Sequence, residues 1–351
     1  MEKGSLYSHK RTFYLAISST CFCILFLSFN PRETIQVSIY LTATTLFGLY
    51  IATRYSLEEQ IDLLVWMYGI VIILSIIFAV LPPRYGIESG VHLGAFRGIY
   101  THKNIFGRIM IPGAILFLLR AMSAKKDKLI LWTAVIVSVI MLVLCRSTTA
   151  LINYLMMLST FFIYRTFRWR YEVMVPSILG IATIGGSFLI WLAENAETLL
   201  KSVGKDATLS GRTDFWPFLW EMIYKRPQLG YGFGAFWNPN PYGGGPNTYI
   251  VRAAGWEVPS AHNGFIELLL TLGIVGFSMY VIGFTINLIK AIRFTRNSYT
   301  IESLWPLLFL TYNILANISE SGLFEQNSIF WVLYTTICFS FVSLPRKYSR
   351  T

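Results

Sequence analysis

The residues of this chain that could do chemistry are one histidine, several arginines and a stretch of glycines alternating with aromatics. His262 stands in the run 260–264 (SAHNG), directly ahead of an apolar segment. An imidazole can take a proton from a hydroxyl at neutral pH, which is the work of a general base. The commoner role for a lone histidine is structural. Its place at a helix start favours chemistry, because unpaired N–H groups there attract anions. Arg146 lies in 144–150 (LCRSTTA) and Arg212 in 210–213 (SGRT). Each can present a planar fork to phosphate. Snorkelling, or pairing with Asp214 or Glu221, is the plainer alternative for such arginines. Arg97 and Lys103 share the run 96–104 (FRGIYTHKN), and Arg108 follows one turn into the next apolar segment. Trp237 closes the run 226–237 (RPQLGYGFGAFW). Glycines there give tight turns beside flat apolar faces, which could stack on sugar rings or form an interfacial aromatic belt.

Several familiar chemistries have no motif here. The chain has no GxxxxGK[ST] phosphate loop, no Asp-x-Asp pair for a divalent metal and no GxSxG elbow. Gly230, Gly232 and Gly234 follow a helix-like run, so they are not a dinucleotide fingerprint. The residues propose neither a metal nor a cofactor, and phosphate chemistry would rest on arginine.

The elements that position these residues are set by composition. The chain has 351 residues, 54% of them apolar and 13% charged, with a mean hydropathy of +0.54. A soluble domain carries about 25% charged residues. The composition excludes a disordered chain, a soluble multidomain enzyme and a disulfide scaffold. It predicts an all-α polytopic membrane protein. Apolar runs at 12–31, 34–53, 63–83, 105–122, 129–145, 147–164, 173–193, 268–289, 303–319 and 326–345 make about ten transmembrane helices. Residues 1–193 then hold seven spans with an outer loop at 82–104. Residues 194–262 form a long periplasmic loop, and 263–351 hold the last three spans. The net charge of +11 falls mostly on short turns near 120–128, 165–170 and 290–296. Basic turns lie on the cytoplasmic side, so both termini are expected there, and the long loop outside. The excess charge is scattered rather than gathered on one face, which argues against nucleic acid. Within the long loop, Phe215, Trp216, Leu219, Trp220 and Ile223 have helical spacing. They predict an amphipathic helix at the membrane interface, with a kink or late start at Pro217.

Residues 211–237 (GRTDFWPFLWEMIYKRPQLGYGFGAFW), then His262-Asn263, nine residues and the pair Gly273, Gly276, resemble the O-antigen ligase and polymerase superfamily. The exopolysaccharide polymerase branch is the nearest in flavour. Arg146 with 147–150, and Arg97 with 98–104, resemble two further motifs of that family. The resemblance implies an inner-membrane glycosyltransferase of GT-C-like fold, working at the periplasmic face. It would polymerise undecaprenyl-diphosphate-linked repeat units of an exopolysaccharide or O-antigen. The alternative is a ligase that moves lipid-linked glycan onto lipid A-core or another acceptor. Carried over by motif, His262 would be the catalytic base, without a metal or cofactor, and Arg146 and Arg212 would hold the leaving diphosphate. Arg97, Lys103, Arg108 and Trp237 would be further substrate contacts. The implied partners are the lipid-linked donor, the glycan acceptor, membrane lipid and a chain-length regulator protein. A lipid-linked oligosaccharide transporter is disfavoured, since it would place charges deep in several spans.

Overall fold

The computed structural model describes residues 28–81, 83–194, 212–237, 245–255 and 258–343. The first expected span (12–31) lies almost wholly outside these residues, as do both chain ends and much of the long loop. The described residues are helical, and their nearest approach to a strand is one bridge between Ile87 and Phe96. In chain order the helices are α1 (Pro31–Arg54), α2 (Leu57–Val80), α3 (Pro83–Gly86), α4 (Lys103–Ser123), α5 (Lys128–Leu144), α6 (Thr148–Thr166) and α7 (Tyr171–Glu194). They continue with α8 (Arg212–Lys225), α9 (Asn247–Ala254), α10 (Gly264–Asn297), α11 (Trp305–Ser319) and α12 (Ile329–Ser343).

Four of these helices, α1, α2, α4 and α10, are long and apolar enough to cross a membrane. α5, the first part of α7 and most of α12 are apolar but shorter. α11 has 15 residues, about 22 Å of helix against a hydrocarbon core of about 30 Å. Length therefore supports fewer complete spans than apolar runs suggest. Outward-facing apolar side chains suit lipid: Trp66, Ile70 and Ile73 on α2, and Leu129, Ile130 and Ile136 on α5, are all exposed. Hydroxyls along the helices satisfy themselves on carbonyls one turn back, as Thr45 does on Leu41 and Ser138 on Ala134. No water is needed to solvate them in hydrocarbon.

The chain divides into two compact units. One comprises Tyr50–Trp169, Leu288–Ala316 and Thr336–Thr351. Here α4 is less apolar than α2 yet far more buried, packing against α2, α5, α6 and the short turn Ile301–Leu304. Its glycines explain both facts. A Cβ on Gly107 would lie 2.6 Å from that of Ala150, and one on Gly113 would lie 2.6 Å from the Tyr68 ring. Small residues lower hydropathy and let neighbouring helices approach closely. At the far end of α4, Arg120 pairs with Asp62 at 2.8 Å and with Glu302 at 3.3 Å.

The other unit comprises Met1–Leu49, Arg170–Asn287 and Asn317–Thr335. Its core gathers Phe215, Leu219, Met222 and Ile223 of α8 around Tyr231, Phe236, Ile250, Val258, Ala261, Ile266 and Leu270. The helix expected over 212–224 is therefore present, and Pro217 does not end it. Its buried stripe runs i, i+4, i+7, i+8, so Met222 takes the inward place and Trp220 points out. The chain itself covers this apolar face. The alternating aromatics answer the same way: Tyr231, Phe233 and Phe236 are buried core rather than an open stacking face.

Two distant glycine motifs meet in this unit. Within α10 the backbone leaves the helix at Gly273, with φ 62° and ψ −166°. The break frees carbonyls and amides, and the loop 227–232 takes them up. Tyr231 and Gly232 N–H groups donate to Leu270 and Thr271 O at 2.8 and 3.0 Å; Ile274 and Val275 N–H groups donate to Pro227 and Gln228 O at 2.8 and 3.2 Å. Broken helices are tolerated in membrane proteins where neighbours satisfy the freed groups in this way.

Candidate active site

The start of α10 is built around the peptide 261–263. Asn263 is its N-cap, accepting on Oδ1 from the Phe265 and Ile266 N–H groups at 3.0 and 3.1 Å. The Asn263 amide donates to Ile318 O at 3.1 Å, and its backbone N–H donates to Ser321 Oγ at 3.2 Å. Gly264 packs against Asn317, where a Cβ would lie 2.3 Å from Oδ1. On the other side the Ala261 carbonyl accepts from Trp216 Nε1 at 3.0 Å, and the Ala261 N–H donates to Glu267 Oε2 at 2.9 Å.

Between these anchors His262 adopts φ 48°, a left-handed conformation that costs energy for a residue with a Cβ. Its backbone N–H donates to Ser260 Oγ at 3.3 Å. The imidazole Nδ1 is buried, has no hydrogen-bond partner, and lies 3.8 Å from Glu320 Oε2. A small inward movement would turn that approach into a hydrogen bond, fixing the proton on Nδ1 and leaving Nε2 to accept another. Such a histidine–carboxylate pair is suited to general-base work. Beside this turn lies a groove of about 170 Å³ lined by Trp237, Ser260, Glu267, Ser321, Glu325 and Gln326.

The remaining nominated residues fall as follows. Trp237 edges the groove, and its Nε1 donates to Glu267 Oε1 at 2.7 Å. The indole N–H is thus committed to the protein. Arg212 opens α8. The other four lie in the unit that contains Tyr50–Trp169. Arg97 donates to three backbone carbonyls, those of Tyr85, Thr101 and Arg84, at 3.0, 3.1 and 3.0 Å. It clamps the loop it sits in. Lys103, the first residue of α4, gives its N–H to Glu88 and its Nζ to the Arg146 carbonyl at 3.4 Å. Arg146 has φ 50°, and its exposed guanidinium donates to Leu93 O at 3.2 Å, against Gly94. Arg108 is half-buried in α4, and its carbonyl accepts from the Tyr312 hydroxyl. The structure thus brings Lys103, at the start of α4, to Arg146, in the turn between α5 and α6.

Four non-glycine residues among those described have positive φ. Asp127 and Asn327 are types that tolerate it. The other two are Arg146 and His262, both singled out by sequence, and backbone strain of this kind gathers at functional sites. Sequence reasoning left Glu320 without a role and passed over Ser321. Neither has a local signal, since both lie more than fifty residues from His262 in the chain. The Asn263 cap has a local signal that sequence reasoning did not use, an asparagine ahead of an apolar helix.

A histidine and a carboxylate thus lie 3.8 Å apart at the start of a helix long and apolar enough to cross a membrane. Residues 133–281 match the family model for O-antigen ligase. The match supports placing the chain in the O-antigen ligase and polymerase superfamily, and it spans Arg146, Arg212 and His262. No curated protein matched the chain.

Proposed function

We propose that the protein is a glycosyltransferase that polymerises lipid-diphosphate-linked repeat units, with His262 as the base on the acceptor hydroxyl. The observation carrying this reading is the strained His262, with Nδ1 turned to Glu320 and the groove beside it. The acceptor sugar would enter by that groove. Deprotonation of its hydroxyl by His262 would accompany attack on the donor's anomeric carbon, and the lipid diphosphate would leave. Arg212 and Arg146 are assigned to the leaving diphosphate on motif resemblance, and fixed cations suit charge developing there. The donor would be an undecaprenyl-diphosphate-linked glycan and the acceptor a second lipid-linked unit, both held in the bacterial inner membrane. The apolar runs of the sequence suggest ten spans, and the charge bias of the turns supports cytoplasmic termini and a periplasmic site. The matched family equally accommodates a ligase that transfers finished glycan to another acceptor. A chain-length regulator has no support from the matched family or the fold.

The test is glycan transfer by purified protein, using lipid-linked glycan extracted from a strain lacking the chain. His262→Ala is expected to lower the rate by about 10²–10⁴-fold with the melting temperature little changed. Full activity in that variant refutes the base assignment. Elongated products identify a polymerase, and single transfer to a different acceptor identifies a ligase.

A further inference from the structure

The carboxylate of Glu267 faces donors. Trp237 Nε1 donates to Oε1 at 2.7 Å, and the Ala261 N–H donates to Oε2 at 2.9 Å. The Ser321 hydroxyl donates to the same carboxylate while accepting the Asn263 N–H at 3.2 Å. One carboxylate is therefore tied to the backbone on both sides of His262, directly to the residue before it and through one hydroxyl to the residue after it. His262 holds φ 48° between these two ties. A left-handed histidine persists where its surroundings over-determine it, and these ties are the surroundings.

We propose that Glu267 is the positioning residue for His262, holding the peptide 261–263 in the strained conformation that presents the imidazole. The proposal rests on the reading of His262 as the base, but it makes a claim about position that can be tested apart from activity. It also explains why the residue must be an acid. Trp237 Nε1 and the Ala261 N–H are both obligate donors, and each sits on its own carboxylate oxygen. A glutamine offers one acceptor oxygen and one amide nitrogen that carries hydrogens. Whichever way the amide is turned, one N–H meets another N–H and a buried donor is left unmatched. Glu267→Gln thus introduces a conflict, although its shape is nearly that of the native residue. Replacing Trp237 by phenylalanine removes one of the two obligate donors, so it removes the conflict while keeping an aromatic ring in place.

The experiment uses the full-length protein in detergent and reads two quantities. The first is the rate at which diethyl pyrocarbonate modifies His262, followed by peptide mass spectrometry. The second is glycan transfer with the extracted lipid-linked glycan. In Glu267→Gln the modification rate of His262 is expected to change severalfold, and kcat to fall by about 10- to 100-fold, the cost of a misplaced catalytic group, with KM for the lipid-linked glycan little moved. In the double variant Glu267→Gln, Trp237→Phe both quantities are expected to return toward wild type. A merely structural role would lower the melting temperature while leaving the modification rate of His262 in the folded protein unmoved. An unchanged modification rate in Glu267→Gln, or a double variant worse than the single one, overturns the proposal. Should Glu267→Gln not fold, Ser321→Ala carries the test. It cuts the tie to Asn263 alone, and an unchanged His262 rate there overturns the proposal equally. If the rates at His262 change and recover as expected while His262→Ala retains full transfer, the positioning stands and the base assignment is what fails.

Discussion

Gly273→Ala probes the link between the two glycine motifs. An alanine Cβ at this position would lie 2.3 Å from the Gln228 carbonyl oxygen and 2.6 Å from the Leu229 nitrogen. Both are backbone atoms, and hydrogen bonds to Ile274 and Val275 hold that strand of loop in place. It cannot swing aside as a flexible side chain would. The conformation adds its own cost. With φ 62° and ψ −166°, the residue sits in a region that is essentially glycine-only, where strain is about 1–3 kcal/mol. Overpacking against fixed atoms costs about 1–3 kcal/mol more. The expected loss is therefore about 2–6 kcal/mol, a large share of the stability of an ordinary domain. Thermal unfolding in detergent measures it. Gly69→Ala on α2 is the control, since a Cβ there meets nothing within 4 Å. A glycine replaced in a helix interior gains about 0.5–1 kcal/mol. Gly273→Ala is thus expected to melt well below the parent, and Gly69→Ala at or slightly above it. If Gly273→Ala melts with the parent, the loop is not locked into the break and the reasoning fails.

Three further outcomes are expected. Arg120→Ala leaves the buried Glu302 without its partner at 3.3 Å and should destabilise by an amount near the low end of about 3–5 kcal/mol, because the Asp62 side chain is nearly half exposed; a chemical denaturation midpoint equal to the parent's would contradict this. Burial holds the Tyr231 phenol above its ordinary value of 10.0. The neutral form is favoured in the fold, so this stability is present below the unfolded value and is lost as pH rises through the folded one. Tyr231→Phe should accordingly show a flatter decline in melting temperature from pH 9 to pH 11, at the cost of the hydroxyl's bond to Met222 O. Glu320→Gln should lower kcat by at least about 10-fold and at most about 10⁴-fold, the effect of the corresponding change in a serine-protease triad; unchanged kcat would show that Glu320 does not act on His262.

Much of the helical plan was legible because burial in lipid demands long apolar runs. α1, α2 and α10 stand where hydropathy places them. What hydropathy misread was rank. α4, interrupted by Arg108, Pro112 and two packing glycines, reads as the weakest run, yet it is the central helix of its unit. A helix shielded by other helices has no need to be as apolar as one facing lipid. His262 was legible from its place ahead of an apolar segment, while the N-cap signal of Asn263 beside it went unused. Glu267 was less so. Residues five apart do not share a helix face, so spacing alone gives Glu267 no tie to His262. The structure resolves this through the backbone: Glu267 reaches the amide before His262, not the imidazole. Glu320 and Ser321 could not be read at all, because their approach to His262 depends on how residues 317–322 fold against the start of α10.

The same packing gives a reason for the spacing between His262 and the glycines. The nine residues from Gly264 to Leu272 carry α10 from its capped start to the break at Gly273. One end of that segment holds the strained histidine. The other end receives the loop 227–232, whose continuation places Phe236 in the core and Trp237 on Glu267. Trp237 therefore closes a circuit: loop to helix break, break to helix start, and helix start back to loop through Glu267 and Ala261. Inserting or deleting one residue in this segment would rotate Glu267 by about 100°, away from Ala261 where the change falls before it and away from Trp237 where it falls after, even if both ends still formed. The histidine's conformation is thus coupled to the register of the whole segment. A strained residue set by a closed circuit of hydrogen bonds cannot relax without breaking a contact elsewhere, which is the arrangement the base proposed for His262 would require.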